Sequence, residues 1–277
     1  MLVSNMVLFP IDYSDRKVIG KTRESVSAIG LGTWNIRDYN RAEKTFVYAL
    51  GHYIDNVDTA EMYDNGRAEE FIGRIVRIVG RERVFITTKI HPKHLVSRER
   101  VLKAGKQSLR RLGVKEVDLF LIHWPNPSLS IEEQIQNFEV LYEKGLTRYI
   151  GVSNFNAVEL KTALYSTRQA EIVVDQVHYS ILYKYPEKYL LPMAIKEGVT
   201  IQAYTPLEYG GVALNPIVVE VAQRINKTPI QVALNYLISR PRVVAIPKTE
   251  NINHLKEIVG AMGWRLRKDL LEYLEKI

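Results

Sequence analysis

Tyr53-Ile-Asp-Asn-Val-Asp58, an apolar stripe at Phe71, Ile72, Ile75, Val76 and Val79, and Val84-Phe-Ile-Thr-Thr-Lys-Ile90 form the stretch that decides the fold. The two outer runs have strand length, and the second is apolar or β-branched on both faces up to its lysine, as a buried parallel strand requires. The stripe between them repeats at i, i+1, i+4, i+5 and i+8, the spacing of one buried helix face. Strand, crossover helix and strand make a βαβ unit with parallel strands.

The same alternation extends in both directions. Further short β-branched runs are Val26–Thr33, Val117–His123, Arg148–Asn154, Ile172–His178, Val199–Thr205 and Val243–Pro247. Helical stripes fall between or after them at Ile131, Ile135, Phe138 and Tyr142, and at Leu255, Ile258, Val259 and Met262. Gly113, Gly145 and Gly198 stand where left-handed helix caps are expected. Eight strands with eight helices predict an α/β fold of the closed (β/α)8 type, a TIM barrel, rather than an open sheet of about six strands. Ile230–Ile238 reads as one extra helix before the last strand. Residues 1–25 contain a turn at Val18–Lys21 and predict an N-terminal hairpin closing the barrel floor. With no linker and no low-complexity segment, residues 1–277 read as a single domain.

Composition agrees with this reading. The 277 residues match the roughly 250 of one barrel. No cysteine is present, which excludes disulfides, thiolate catalysis and cysteine metal sites. The net charge of +7 raises nucleic-acid binding, but Lys and Arg are scattered among acidic residues without an aromatic-basic platform, so none is expected. Met1 to Pro10 lacks the basic region and cleavage site of a leader, and no run reaches the ~18 apolar residues of a membrane span. A cytoplasmic protein without membrane partners is expected.

In such barrels the chemistry lies at the C-terminal ends of the strands. Asp58 ends the second run, Lys89 lies near the end of the third, His123 ends the fourth, and Tyr63 follows Asp58 by five residues. Each alone has an ordinary explanation: a solvated strand-end charge, a packed loop tyrosine, a hydrogen-bonded histidine. Together at one rim they make a chemical set. A tyrosine titrates near ~10 and donates its proton poorly at neutral pH. An ammonium beside it favours phenolate, and a carboxylate keeps the ammonium charged and placed. Lys89 and Asp58 suit those parts, and His123 suits orienting a carbonyl oxygen that Tyr63 protonates.

These residues sit in motifs that resemble the aldo-keto reductase family. Asn56-Val-Asp-Thr-Ala-Glu-Met-Tyr-Asp-Asn-Gly66, Ile86-Thr-Thr-Lys89 and Leu121-Ile-His-Trp-Pro125 resemble its segments bearing Asp, Tyr, Lys and His. Gly30-Leu-Gly-Thr-Trp34, Gly151-Val-Ser-Asn-Phe155, Val174-Asp-Gln-Val177, Ala203-Tyr-Thr-Pro-Leu207 and Ile246-Pro-Lys-Thr249 follow in the family's order. The likeness covers roughly residues 20 to 260.

The resemblance implies an enzyme that reduces aldehydes, with ketones, dicarbonyls or sugars as further small-molecule substrates, by hydride transfer from NADPH. It implies a catalytic tetrad of Asp58, Tyr63, Lys89 and His123, no metal, and a monomer. It implies a cofactor site that includes Gly32, Thr33, Trp34 and Asp58. Ser153, Asn154 and Gln176 would hold the nicotinamide carboxamide, and Tyr204 would stack on its ring. Thr205 and Leu207 would line the pyrophosphate path, Lys248 and Thr249 would meet the 2′-phosphate, and Glu257 the adenine. Trp34, Met62, Tyr63, His123 and Trp124, with Tyr39 a further candidate, would line the substrate pocket.

The residue types suit those parts. Amides and hydroxyls match a neutral carboxamide, an aromatic face matches a planar ring, and a lysine beside a hydroxyl matches a phosphate. No G-x-G-x-x-G follows the first strand, and neither H-E-x-x-H nor G-x-S-x-G occurs. There are departures at the adenosine end. His254 stands where the family commonly has arginine, and Ile258 where asparagine commonly follows the glutamate. NADP(H) is therefore expected to be preferred, with NAD(H) still usable. Short segments after Pro125 and after Gly260 predict an open pocket. The alternative of another class is a non-catalytic nicotinamide-binding barrel serving as a sensor or partner-binding subunit.

Overall fold

The computed structural model describes residues 9–277. The reading of Met1 to Pro10 as lacking a leader therefore falls, through residue 8, outside the described residues. Eight parallel strands run in chain order around the sheet: β3 (Leu31–Gly32), β4 (Asn56–Asp58), β5 (Phe85–Ile90), β6 (Val117–Ile122), β7 (Thr147–Ser153), β8 (Ile172–His178), β9 (Thr200–Tyr204) and β10 (Val243–Ala245). Neighbours in sequence are neighbours in space throughout, as right-handed βα crossovers produce. The sheet curls until its first and last strands approach. There Ile29 bridges Ala245, Gly30 N–H donates to Ala245 O at 2.9 Å, and Ala245 N–H donates to Ala28 O at 3.0 Å. The two edges thus meet through one isolated bridge and not a continuous ladder.

β1 (Arg16–Val18) and β2 (Ser25–Ser27) pair antiparallel as the N-terminal hairpin. This corrects one strand boundary. Val26–Thr33 reads as one strand but divides, its first part joining the hairpin and its last part the barrel. The divide is fixed by Asp55, whose Oδ1 accepts from Ser27 N–H at 2.7 Å and from Ser27 Oγ at 3.0 Å. From the hairpin, Ile19 and Val26 enter the base of the sheet against Phe85, Leu119, Val173 and Val244. Burying these side chains stabilises by about 25 cal/mol per Å² of apolar surface removed from water.

The helices cover the outside. Phe71, Ile72, Ile75 and Val76 are the buried face of the Arg67–Val79 helix. Pro229–Ile238 is the extra helix before the last strand. The stripe through Tyr142 is corrected: the segment breaks into Ile131–Phe138 and Val140–Glu143, Val140 and Leu141 turn inward, and Tyr142 is exposed. Glu139 stands at the junction, its own backbone still helical. Its buried carboxylate accepts N–H groups of Arg168, Gln169 and Ala170. Past Gly260 the chain forms the Lys268–Leu274 helix, which buries Leu270, Leu271 and Leu274 in the outer layer. Among the described residues no helix is long and apolar enough to cross a membrane.

Candidate active site

The strand ends bring Asp58, Tyr63, Lys89 and His123 together. Lys89, fully buried on β5, donates to Asp58 Oδ1 and Oδ2 at 2.8 and 2.7 Å, and lies 2.9 Å from both Thr59 O and the Tyr63 hydroxyl. Tyr63 reaches this position because Asp64, Asn65 and Gly66 all turn left-handed, at φ 48°, 54° and 90°. Asp and Asn tolerate that region better than other side chains, and Gly66 needs its freedom doubly. A Cβ there would stand 2.6 Å from Arg111 Cδ. The Tyr63 ring is held edge-on between Trp34, at 5.1 Å, and His123, at 5.6 Å.

Burial dominates the electrostatics. It pushes the Tyr63 phenol above its ordinary value, and Lys89 opposes this without outweighing it. The expectation that the ammonium would leave Tyr63 with a lowered pKa is therefore corrected. Burial also works against the Lys89 charge, but Asp58 and Tyr63 hold its pKa above the usual value. His123 is pushed down to about 2, first by burial and then by Lys89 and His91, and its Nδ1 has no partner among the described residues. The site therefore holds a protonated tyrosine, an ammonium and a neutral imidazole.

A second polar row joins this set from β7, β8 and β9. Gln176 donates from Nε2 to Asp58 Oδ1 at 2.7 Å and to Gln202 Oε1 at 3.0 Å. Ser153 Oγ donates to Gln176 O, and Asn154 Nδ2 donates to His123 O at 3.0 Å. Tyr204 closes the row by donating to Asn154 Oδ1 at 2.8 Å, its ring half-buried with His178 parallel behind it. Gly32, Thr33 and Trp34 leave β3 beside them, and Thr33 Oγ1 donates to Asp58 O at 3.0 Å. This set fits a nicotinamide: an aromatic face beside amide and hydroxyl groups that match a carboxamide.

Thr205 and Leu207 follow β9 directly. Lys248 and Thr249 follow β10, with His254 and Glu257 on the next helix, Ile252–Val259. Thr249 is buried and donates from Oγ1 to Asn251 O. His254 is exposed, and Ile258 is buried in the core, which accounts for an apolar residue there.

Trp34 is 54% exposed and Met62 39%, with Trp124 4.7 Å from the His123 ring. Tyr39 is buried away from the rim set. It begins the Tyr39–His52 helix, packs on Phe71 and donates to Asp64 Oδ2 at 3.0 Å. Several neighbours escape the sequence reading. His91 packs edge-on to Trp124 at 5.1 Å, Gln202 anchors Gln176, and His178 and Glu208 flank Tyr204. His91 lies two residues past Lys89, and His178 ends β8, so the strand-end rule could have found both.

The family model described as the aldo/keto reductase family matches residues 28–277. A methylglyoxal reductase of Escherichia coli (strain K12) is 32% identical over 261 residues, covering 91% of each chain. A thermostable aldo-keto reductase solved with the inhibitor epalrestat has a TM-score of 0.88 at 37% identity, covering 94% of this chain and 98% of that one. An aldo/keto reductase from Klebsiella pneumoniae in complex with NADP and acetate has a TM-score of 0.86 at 30% identity, covering 95% of each.

Proposed function

This chain belongs to the aldo/keto reductase family, and from that membership we propose that it reduces small aldehydes, 2-oxoaldehydes foremost, to alcohols with NADPH. The observation that carries the reading is the Lys89 ammonium, held by both Asp58 oxygens and 2.9 Å from the Tyr63 hydroxyl. The likeness to a methylglyoxal reductase supports the substrate class, and the NADP complex of a relative supports the cofactor. In this reading the working unit is one barrel domain, its first and last edges meeting at the single Ile29–Ala245 bridge.

A nicotinamide held here would supply hydride to the carbonyl carbon. Tyr63 gives its proton to the carbonyl oxygen. Lys89 stabilises the phenolate that forms, and Asp58 keeps Lys89 charged inside a dry site. Neutral His123 orients the oxygen by a hydrogen bond. Asn154, Ser153 and Gln176 would hold the carboxamide, and Tyr204 would fix the ring face. Trp34, Met62 and Trp124 give an open apolar pocket with few contacts to the rest of the substrate. Each apolar contact contributes only about 1–3 kcal/mol of selectivity, so discrimination among small aldehydes is weak.

The test is NADPH consumption, with product identified by NMR, across methylglyoxal, glyoxal, simple aldehydes, ketones and sugars. Turnover of the aldehydes above ketones and sugars is the expected result. Tight NADPH binding without turnover of any carbonyl would overturn it in favour of a non-catalytic nicotinamide-binding barrel.

A further inference from the structure

β8 and β9 end side by side, His178 opposite Tyr204. The His178 ring lies between two tyrosines, parallel to Tyr183 at 4.2 Å and 6° and to Tyr204 at 5.7 Å and 14°. Its Nε2 donates to Glu208 Oε1 at 2.7 Å, and Ser180 Oγ donates to the same oxygen at 2.6 Å. Ser180 is fixed in turn, because its Oγ accepts from the N–H groups of Leu182 and Tyr183. One carboxylate oxygen thus ties the segment after β9 to the end of β8.

That segment needs tying. Thr205, Glu208 and Tyr209 have φ of 51°, 46° and 53°, a region costly for side chains, followed by Gly210 at 95°. Such backbone persists only where its surroundings impose it. Tyr209 and Leu214 are largely exposed, so packing does not impose it at those points. The buried Pro206 and Val212 and the core-packed Leu207 are apolar inward attachments, and Glu208 supplies the polar one between them. Charge sharpens the argument. A loose carboxylate one residue from Leu207 would repel a pyrophosphate beside Thr205 and Leu207. His178 and Ser180 hold it against the strand ends instead.

We propose that Glu208, held by His178 and Ser180, latches the 205–214 loop in its cofactor-binding shape before NADPH arrives and sets the Tyr204 ring for stacking. The proposal rests on the cofactor placement given above. His178 and Glu208 act as positioning residues, because they work through the loop and through Tyr204.

The test uses the full chain without cofactor. Hydrogen–deuterium exchange over residues 205–214 is compared among wild type, Glu208→Ala, Glu208→Gln and His178→Phe. Loss of a charge-assisted hydrogen bond should speed exchange there roughly ten- to hundred-fold. His178→Phe keeps a ring for the stack but removes Nε2, so it should behave like Glu208→Ala. Glu208→Gln keeps an acceptor oxygen and should restore most of the protection. Stopped-flow release of NADPH should accelerate in the same order, with kcat for a fast aldehyde changed less than cofactor affinity. Unchanged exchange in Glu208→Ala and His178→Phe would overturn the latch. Faster exchange with unaltered NADPH release would overturn its link to the cofactor. If wild type itself does not bind NADPH, the cofactor placement has failed, and the exchange data still decide whether the loop is latched.

Discussion

Lys248 and Glu250 form an ion pair two residues apart, and Glu250 also accepts the backbone N–H groups of Arg37 and Asp38 at 2.9 and 3.0 Å. Partial burial would raise the Glu250 carboxyl, but Lys248 and these two N–H groups outweigh it and hold its pKa below the usual value. The lysine proposed to meet the 2′-phosphate therefore has a carboxylate already on it. A phosphate there must share or displace Glu250.

NADPH should accordingly bind only moderately better than NADH. A charge-assisted hydrogen bond contributes about 1.5–3 kcal/mol, a ceiling of roughly ten- to hundred-fold. Glu250→Gln should widen the preference, because the amide keeps one acceptor oxygen for the Arg37 and Asp38 N–H groups, which Glu250 meets with its two oxygens, and no longer competes for Lys248 as a charge. Lys248→Ala should erase it. Dissociation constants for both cofactors, from fluorescence quenching, decide the matter. Tighter NADH than NADPH binding in wild type would show that Glu250 reads a ribose hydroxyl.

Asp58 and Lys89 form the second pair with a sharp consequence. Both are buried, so Asp58→Asn leaves an ammonium without its counter-charge. Removing one partner of such a pair costs about 3–5 kcal/mol. Asp58→Asn with Lys89→Met should recover much of that stability while both variants stay inactive. Urea unfolding of the wild type, the single and the double variant measures it. Equal stability of Asp58→Asn and wild type would mean that Lys89 loses its proton instead.

Much of the barrel was legible because buried parallel strands are apolar on both faces and their crossover helices on one. The local pattern failed where a distant partner decides. Ser27 joins the hairpin because of Asp55, and Glu139, at the junction where the stripe through Tyr142 divides, is turned inward to N–H groups at 168–170. The candidate site divides in the same way. Asp58, Lys89 and His123 were visible because parallel strands all end at one rim. Gln202 was not singled out, and Glu250 was visible only as a charge beside Lys248, because their partners Gln176, Arg37 and Asp38 are remote in sequence.

Asp175 carries a stability prediction. It is fully buried on β8, neither side-chain oxygen has a partner of good hydrogen-bond geometry among the described residues, and the Phe155 backbone does not offset its burial. Burial pushes its carboxyl well above the ordinary range, so the folded state keeps a proton that the unfolded state releases. Stability from this group is full below the unfolded value of about 3.9 and declines as pH rises through the range between the unfolded and folded values. Asp175→Asn removes that decline. Its Tm should exceed that of wild type at pH 8, and the gap should shrink toward pH 5. A gap independent of pH would mean that Asp175 does not carry the linked proton.

Tyr63 carries the test of the chemistry itself. Burial raises its pKa against the pull of Lys89, so the phenol stays protonated through neutral pH and is ready to donate. His123, pushed down to about 2, remains neutral over the same range. Neither group titrates between pH 5 and 8, so kcat/KM for aldehyde reduction should be flat there. Activity should decline only above the ordinary tyrosine value of about 10. Tyr63→Phe removes the donor but little packing, and should lower kcat on the order of 10²–10⁴ with NADPH affinity nearly unchanged. The residual rate should also lose the alkaline decline, since no phenol remains to titrate. Steady-state pH profiles of the two proteins, with NADPH binding measured in parallel, make the comparison. A wild-type limb near pH 6.5 would mean that His123 titrates with substrate, and a Tyr63→Phe protein that keeps most of its rate would remove Tyr63 from the proton-donor role.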